Sequence, residues 1–201
     1  MDIQHDELWI TRARQGDEEA FSQLVERYQR PVFNLCYRMM GDAGEAEDAA
    51  QEAFIRAYTR LASYDPNRKF SSWLLAIAAH YCIDRLRRRR LHLVAWDDLP
   101  PWRQLFDHKP GPEEVALSRD VQRGVQKLLN TLPPDYRTAL VLRYWHDLTC
   151  EELAETLHTS VPAIKSRLFR ARQMMARAMA QDQARSARTR PMLVHREAYD
   201  A

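Results

Sequence analysis

The chain has 201 residues, with 30 Lys and Arg against 28 Asp and Glu for a formal charge of +2. That length suits one ordinary domain or two small ones, and so even a balance says nothing for or against nucleic acid. Three cysteines without a CxxC or paired spacing argue against a disulfide framework or a structural zinc site.

No apolar stretch approaches the ~20 residues that cross a bilayer, and MDIQHDELW is no secretory leader. The expectation is a cytoplasmic protein without membrane insertion. The five glycines form neither a GxGxxG nor a GxxxxGK loop, so no cofactor is expected. Charge is segregated instead. Arg85 with Arg87 to Arg90, Lys165 to Arg177 and Arg185 to Arg196 are basic, while Asp42 to Glu52 and Glu113 to Asp120 are acidic. Such a pattern suits an anion on some surfaces and another partner elsewhere.

The spacing predicts a helix through Ala20, Phe21, Leu24, Val25 and Tyr28. Pro31 marks a break before Val32, Leu35, Cys36, Met39 and Met40 continue the stripe, and Gly41 is a stop. A third helix runs from about 46 to 61 on Ala50, Ala53, Phe54, Ala57, Tyr58 and Leu61. Its opposite face carries Asp48, Gln51, Glu52, Ile55 and Arg56. An acidic patch centred on an exposed isoleucine fits a protein interface better than a solubilising surface. The acids near its start suit a helix N-terminus better than a metal.

After the turn-rich SYDPNRK, residues 70–90 read as a fourth helix. Lys69, Trp73, His80 and Arg87 lie roughly along one face, a basic surface with aromatic character suited to single-stranded nucleic acid. Plain core accounts for Trp73 nearly as well. Asp84 is expected to pair with Arg88 one turn on.

Residues 1–90 thus form one helical domain. Prolines and a glycine dissolve the pattern over 91–112, a flexible linker, and helices resume over 113–180. Residues 181–201 read as a disordered tail. The fold class is all-α, two small helical domains with a helix-turn-helix in the second.

In that second domain, Leu132-Pro133-Pro134-Asp135 starts a helix whose core is Ala139, Leu140, Val141, Leu142 and Tyr144. Thr149 and Glu152 make a capping box for a short helix carrying Leu153, Ala154 and Leu157. Ser160 caps the next helix, whose Ile164 and Leu168 face back. Two helices joined by a turn of about four residues read as a helix-turn-helix. Its second helix enters the major groove by its N-terminal residues. Here those are Ser160, Val161, Pro162, Ala163, Lys165, Ser166 and Arg167, with Arg170 and Arg172 placed for flanking phosphates. A solvated cationic face is the bland alternative.

Taken together, EDAAQEAFIRAY, FSSWLLAIAAHYCIDRLRRR and LPPDYRTALVLRYWHDLTCEELAETLHTSVPAIKSRLFRAR resemble the extracytoplasmic-function (ECF) sigma factors of bacterial RNA polymerase. The likeness covers about residues 17–178. It implies a polymerase-binding helix, a helix that reads and melts the −10 element, and a −35-reading domain, in that order. Two departures stand out. Ala79 and His80 replace a frequent Arg-Asn pair, and His158 stands where a glycine is usual, in a turn that calls for a left-handed backbone.

The resemblance implies that Asp48, Gln51, Glu52, Ile55 and Arg56 dock on the beta-prime subunit of core polymerase, with the beta subunit also a partner. It implies that the loop with Tyr64, Asn67, Arg68 and Lys69 captures a flipped −10 base. Trp73, His80, Arg85, Arg87 and Arg88 would hold the adjacent strand, while Ser160 to Arg172 read the −35 duplex. The chain itself would be no enzyme. An anti-sigma factor that restrains it until a stress signal arrives is also implied. A stand-alone helix-turn-helix regulator is the main rival. A recombinase or nuclease ranks last, since no nucleophile–base constellation is visible.

Overall fold

The computed structural model describes residues 3–94 and 116–189, with side chains over 6–89 and 121–184. The described residues form helices and connections with no strand: α1 (Ile3–Arg14), α2 (Glu18–Met40), α3 (Ala43–Arg60), α4 (Phe70–Val94), α5 (Ala116–Asn130), α6 (Pro134–Trp145), α7 (Cys150–Thr156) and α8 (Val161–Thr189). The all-α expectation is met. The expected linker and tail fall largely outside the described residues, but α4 continues to Val94 and α8 to Thr189. The α8 extension is rich in Ala, Gln and Arg and meets no breaker before Pro191, so helix propensity carries it past the end of its apolar stripe.

Helix α2 is the axis of the first half. Asp17 caps it by accepting from the Ala20 N–H at 3.0 Å. Its stripe of Leu24, Tyr28, Val32, Leu35, Cys36, Met39 and Met40 is buried against α3 and α4. The expected break at Pro31 does not occur, and one helix runs from Glu18 to Met40. Proline removes one i→i−4 hydrogen bond, but core side chains on both sides of it hold the helix in line. Gly41 then ends α2 at φ 80°, its N–H donating to the Tyr37 carbonyl at 2.8 Å.

Helix α1 was not foreseen. It buries Ile10 and Ala13, and its Asp6 accepts the Tyr28 hydroxyl at 2.6 Å. In α3 the buried positions are Ala46, Ala49, Ala50, Ala53 and Ala57. The expected core residue Tyr58 is instead exposed, edge-on to Phe21 with ring centroids 4.9 Å apart.

The second half closes on Leu129, Leu132, Leu142, Leu153, Ile164 and Leu168. Ala139 to Leu142 are core as expected, but Tyr144 is exposed. Proline opens α6 at a position where the backbone N–H it lacks would have had no helical partner in any case. The two halves then pack together, α5 and α6 on α2, and α6 and α7 on α4.

Candidate nucleic-acid and protein interfaces

The expected site residues are distributed over three regions. On α3, Ile55 is 59% exposed between Gln51, Glu52 and Arg56. Arg56 pairs with Glu52 at 2.7 Å and lies over the Tyr81 ring at 4.7 Å. Asp48 sits 3.8 Å from Arg85 of α4. The charges around the isoleucine are therefore held in place by neighbours, and the apolar side chain stands clear.

The second surface joins the loop before α4 to α4 itself. Tyr64, expected among strand-contacting residues, is only 5% exposed. It packs against Phe70 and Trp73 at 5.4 and 5.2 Å, and its hydroxyl donates to the Arg68 carbonyl. Burial raises its pKa. Its role is to shape the loop from beneath. Asn67 and Arg68 remain exposed at the tip, where Asp65 accepts from the Asn67 backbone at 3.0 Å.

Trp73 is half-buried: one part wedges on Tyr64 and Phe70, in keeping with the core reading, while the rest lines a cleft. His80 is also half-buried, its Nδ1 2.8 Å from the Ala76 carbonyl. The arginine run is not a stack of bare charges. Arg85 faces Asp48, Arg87 contacts Asp135 at 2.9 Å and Arg89 contacts Glu45 at 3.1 Å. The expected Asp84–Arg88 pair is absent from these described contacts, and both residues are exposed.

The third surface is the helix-turn-helix. Its capping box forms in both directions: the Glu152 N–H donates to Thr149 Oγ1 at 3.1 Å, and the Thr149 N–H donates to Glu152 at 2.8 Å. Lys69 first and then the Thr149 backbone N–H hold the Glu152 carboxyl below the usual range, with burial opposing them. His158 takes the left-handed conformation its position demanded, at φ 48°. Asp147, at φ 54°, is a second such residue that sequence reasoning missed.

Ser160 Oγ accepts weakly from the Ala163 N–H at 3.4 Å, and Ile164 and Leu168 anchor α8 to the core. Helical periodicity then turns Pro162, Lys165, Ser166, Arg170 and Arg172 fully outward, with Val161, Ala163 and Arg167 half-exposed beside them. Among the described contacts none of these four cations meets an acid. Its first turns are small and its flanks cationic, a shape and charge suited to a major groove.

The model for sigma-70 region 2 matches residues 24–92, and that for sigma-70 region 4 matches residues 122–175. The ECF RNA polymerase sigma factor SigW of Bacillus subtilis (strain 168) is 37% identical over 172 residues, covering 83% of this chain and 92% of that protein. The chain belongs to the ECF sigma factors.

The sigma-E factor of Escherichia coli (strain K12) is 32% identical over 181 residues, covering 84% of this sigma factor and 91% of that one. Among solved structures, CnrH in complex with the cytosolic domain of CnrY has a TM-score of 0.64 at 23% identity, covering 89% of this chain and 99% of that one. The sigma factor RpoE bound to the anti-sigma factor NepR from Bartonella quintana gives the same score at 22% identity, over 80% and 96%. Those two likenesses speak for the fold. The alternative sigma factor is, by family, a transcription initiation factor. Among the described residues no helix is long and apolar enough to cross a membrane.

Proposed function

We propose that this sigma factor works in the cytoplasm and makes no covalent change itself, dividing promoter recognition among its three surfaces. Asp48, Gln51, Glu52, Ile55 and Arg56 dock on core polymerase. Asn67, Arg68 and Lys69, shaped by Tyr64, take a base out of the −10 duplex, while Trp73, His80, Arg85, Arg87 and Arg88 hold the opened strand. Ser160 to Arg172 read the −35 duplex. The four expected units, 1–90, 91–112, 113–180 and 181–201, fit that division, with the boundaries moved outward to the ends of α4 and α8.

Opening then follows from differential binding. A surface that binds the single strand more tightly than the duplex shifts the equilibrium toward the melted state by that difference. Catalysis stays with the polymerase. The observation that carries the reading is Ile55, exposed at the centre of a charged face in a chain that also matches both promoter-reading regions. An apolar side chain so placed gains by being covered.

An anti-sigma partner belongs to the same reading, since the structurally similar sigma factor RpoE of Bartonella quintana is complexed with the anti-sigma factor NepR. The test is transcription with purified core enzyme on a promoter library. Specific starts should appear only with both components present, and Ile55→Glu should abolish core association while the melting curve is unchanged. Duplex-site binding without any polymerase-dependent start would favour the stand-alone regulator.

A further inference from the structure

Helix α1 lies ahead of residues 24–92, the span matched by the sigma-70 region 2 model, and none of the three surfaces above calls on it. Its inner face nevertheless has a definite seat. Ile10 and Ala13 are buried, and the helix packs on α2 and on the short turn Leu61–Ser63 that leads into the loop over 65–69.

That loop has two stems, and α1 reaches both. The upstream stem is the turn itself with Tyr64 behind it. Within the turn the Tyr64 N–H donates to the Leu61 carbonyl at 3.2 Å. The next carbonyl along, that of Ala62, accepts from Arg14 Nη2 at 3.0 Å, across 48 residues of chain. A backbone acceptor at the base of the loop is thus tied to the last turn of α1.

The downstream stem is Phe70, the first residue of α4. At the other end of α1, Asp6 accepts the Tyr28 hydroxyl at 2.6 Å and lies 3.2 Å from Arg27 Nε. Arg27 in turn stands 5.9 Å from the centre of the Trp9 ring. The Tyr28 ring meets Phe70 edge-on with centroids 5.4 Å apart, and Phe70 meets Tyr64 at the same separation. Burial first, and then the bond to Asp6, raise the Tyr28 pKa, so the phenol stays a donor. One run of contacts therefore joins α1 to the ring that opens α4 and to the ring beneath the loop.

Arg14 is exposed, and one hydrogen bond from it adds little to the stability of the whole. Its value lies in geometry. Groups that recognise a ligand must be held to about 0.5 Å, and side chains outside the contact do the holding.

We propose that α1 is a positioning element for the −10 loop. Arg14 on the Ala62 carbonyl, and Asp6 through Tyr28 and Phe70, clamp the two stems so that Asn67 and Arg68 meet the captured base in one geometry. This rests on the base-capturing role proposed above for the loop; Arg14 and Asp6 themselves touch no DNA in it.

The test uses the full chain with purified core enzyme. Starts are compared on the best promoter of the library and on versions with each −10 base replaced. Asn67→Ala and Arg68→Ala locate the captured base as the position where preference relaxes. At that position Arg14→Ala should cut the preference about fivefold, the scale of one hydrogen bond, with the melting temperature and core association unchanged. Arg14→Lys, which can still donate, should restore most of it. Tyr28→Phe, which loses the hydroxyl and keeps the ring, should relax the same position. Unchanged preference in Arg14→Ala, or in Tyr28→Phe should the first not fold, overturns the inference. An equal loss at every −10 position, the mark of general loosening, also overturns it, as does no recovery with lysine. If neither Asn67→Ala nor Arg68→Ala relaxes any position, the loop's own role has failed and the clamp falls with it.

Discussion

Helices α4 and α8 are both cationic, yet they carry their charge differently. Helix α4 belongs to the core: Leu74, Leu75, Ala78, Ala79, Cys82 and Ile83 are buried along it, and Arg85, Arg87 and Arg89 each turn to an acid on another element. Helix α8 buries only Ile164, Leu168 and Ala171 among its described side chains, and its four leading cations meet no acid among the described contacts. A cation already matched inside the molecule must exchange one partner for another when DNA arrives. An unmatched one only gains. On the proposed roles, the α8 face could take duplex as it stands, whereas the α4 arginines would first exchange their acidic partners.

The sharpest way to break this contrast is to loosen α8 from its footing. Ile164→Ala should cost about 3 to 4 kcal/mol by leaving a cavity under a fully buried position. A lowered midpoint in urea would register the loss, and duplex binding should fall with it although no cation has been touched.

Acid should act next. Burial holds the His146 imidazole down at about 4, and its Nε2 is buried without a partner. An unfolded chain takes up that proton near 6.5, so between pH 6.5 and 4 the unfolded state binds more protons and stability falls as pH drops. The loss should reach about 3 kcal/mol near pH 4. His146→Gln should flatten that part of the stability profile; an unchanged slope would remove His146 as its cause.

Smaller effects separate the two cationic faces. Arg170→Ala should weaken duplex binding almost equally across sequences and lower the salt slope by about 1, readable from affinity against salt concentration. Thr149→Ala should remove about 1 kcal/mol by opening the capping box, seen as a lower melting temperature with strand binding no weaker. His158→Gly relieves a left-handed backbone but frees the unfolded chain, and the net gain should stay under about 1 kcal/mol.

Local features of the helix-turn-helix were open to reading because their causes lie a few residues apart. Thr149 and Glu152, the Ser160 cap and the Ile164–Leu168 stripe all express spacings of three or four, whereas the strained position at His158 was legible only through the family resemblance. The exposed face around Ile55 followed from the same periodicity. Pro31 misled because its intrinsic cost was weighed without the core packing on either side of it. Tyr64 misled because a tyrosine in a polar loop gives no sign of the Phe70 and Trp73 rings waiting beneath. The docking of α2 was beyond reach for a stronger reason: Arg137 and Met39 are 98 residues apart, and no local pattern joins an arginine to a distant helix end.

The buried ring of Tyr64 has a bearing on how such a protein diverges. Because the loop takes its form from an aromatic wedge under it, Asn67 and Arg68 at its crest can be exchanged with little disturbance to anything below. On the role proposed for Asn67 and Arg68, base preference is thereby uncoupled from foldability, and new promoter tastes can be sampled by drift at two outward positions while the scaffold is inherited intact.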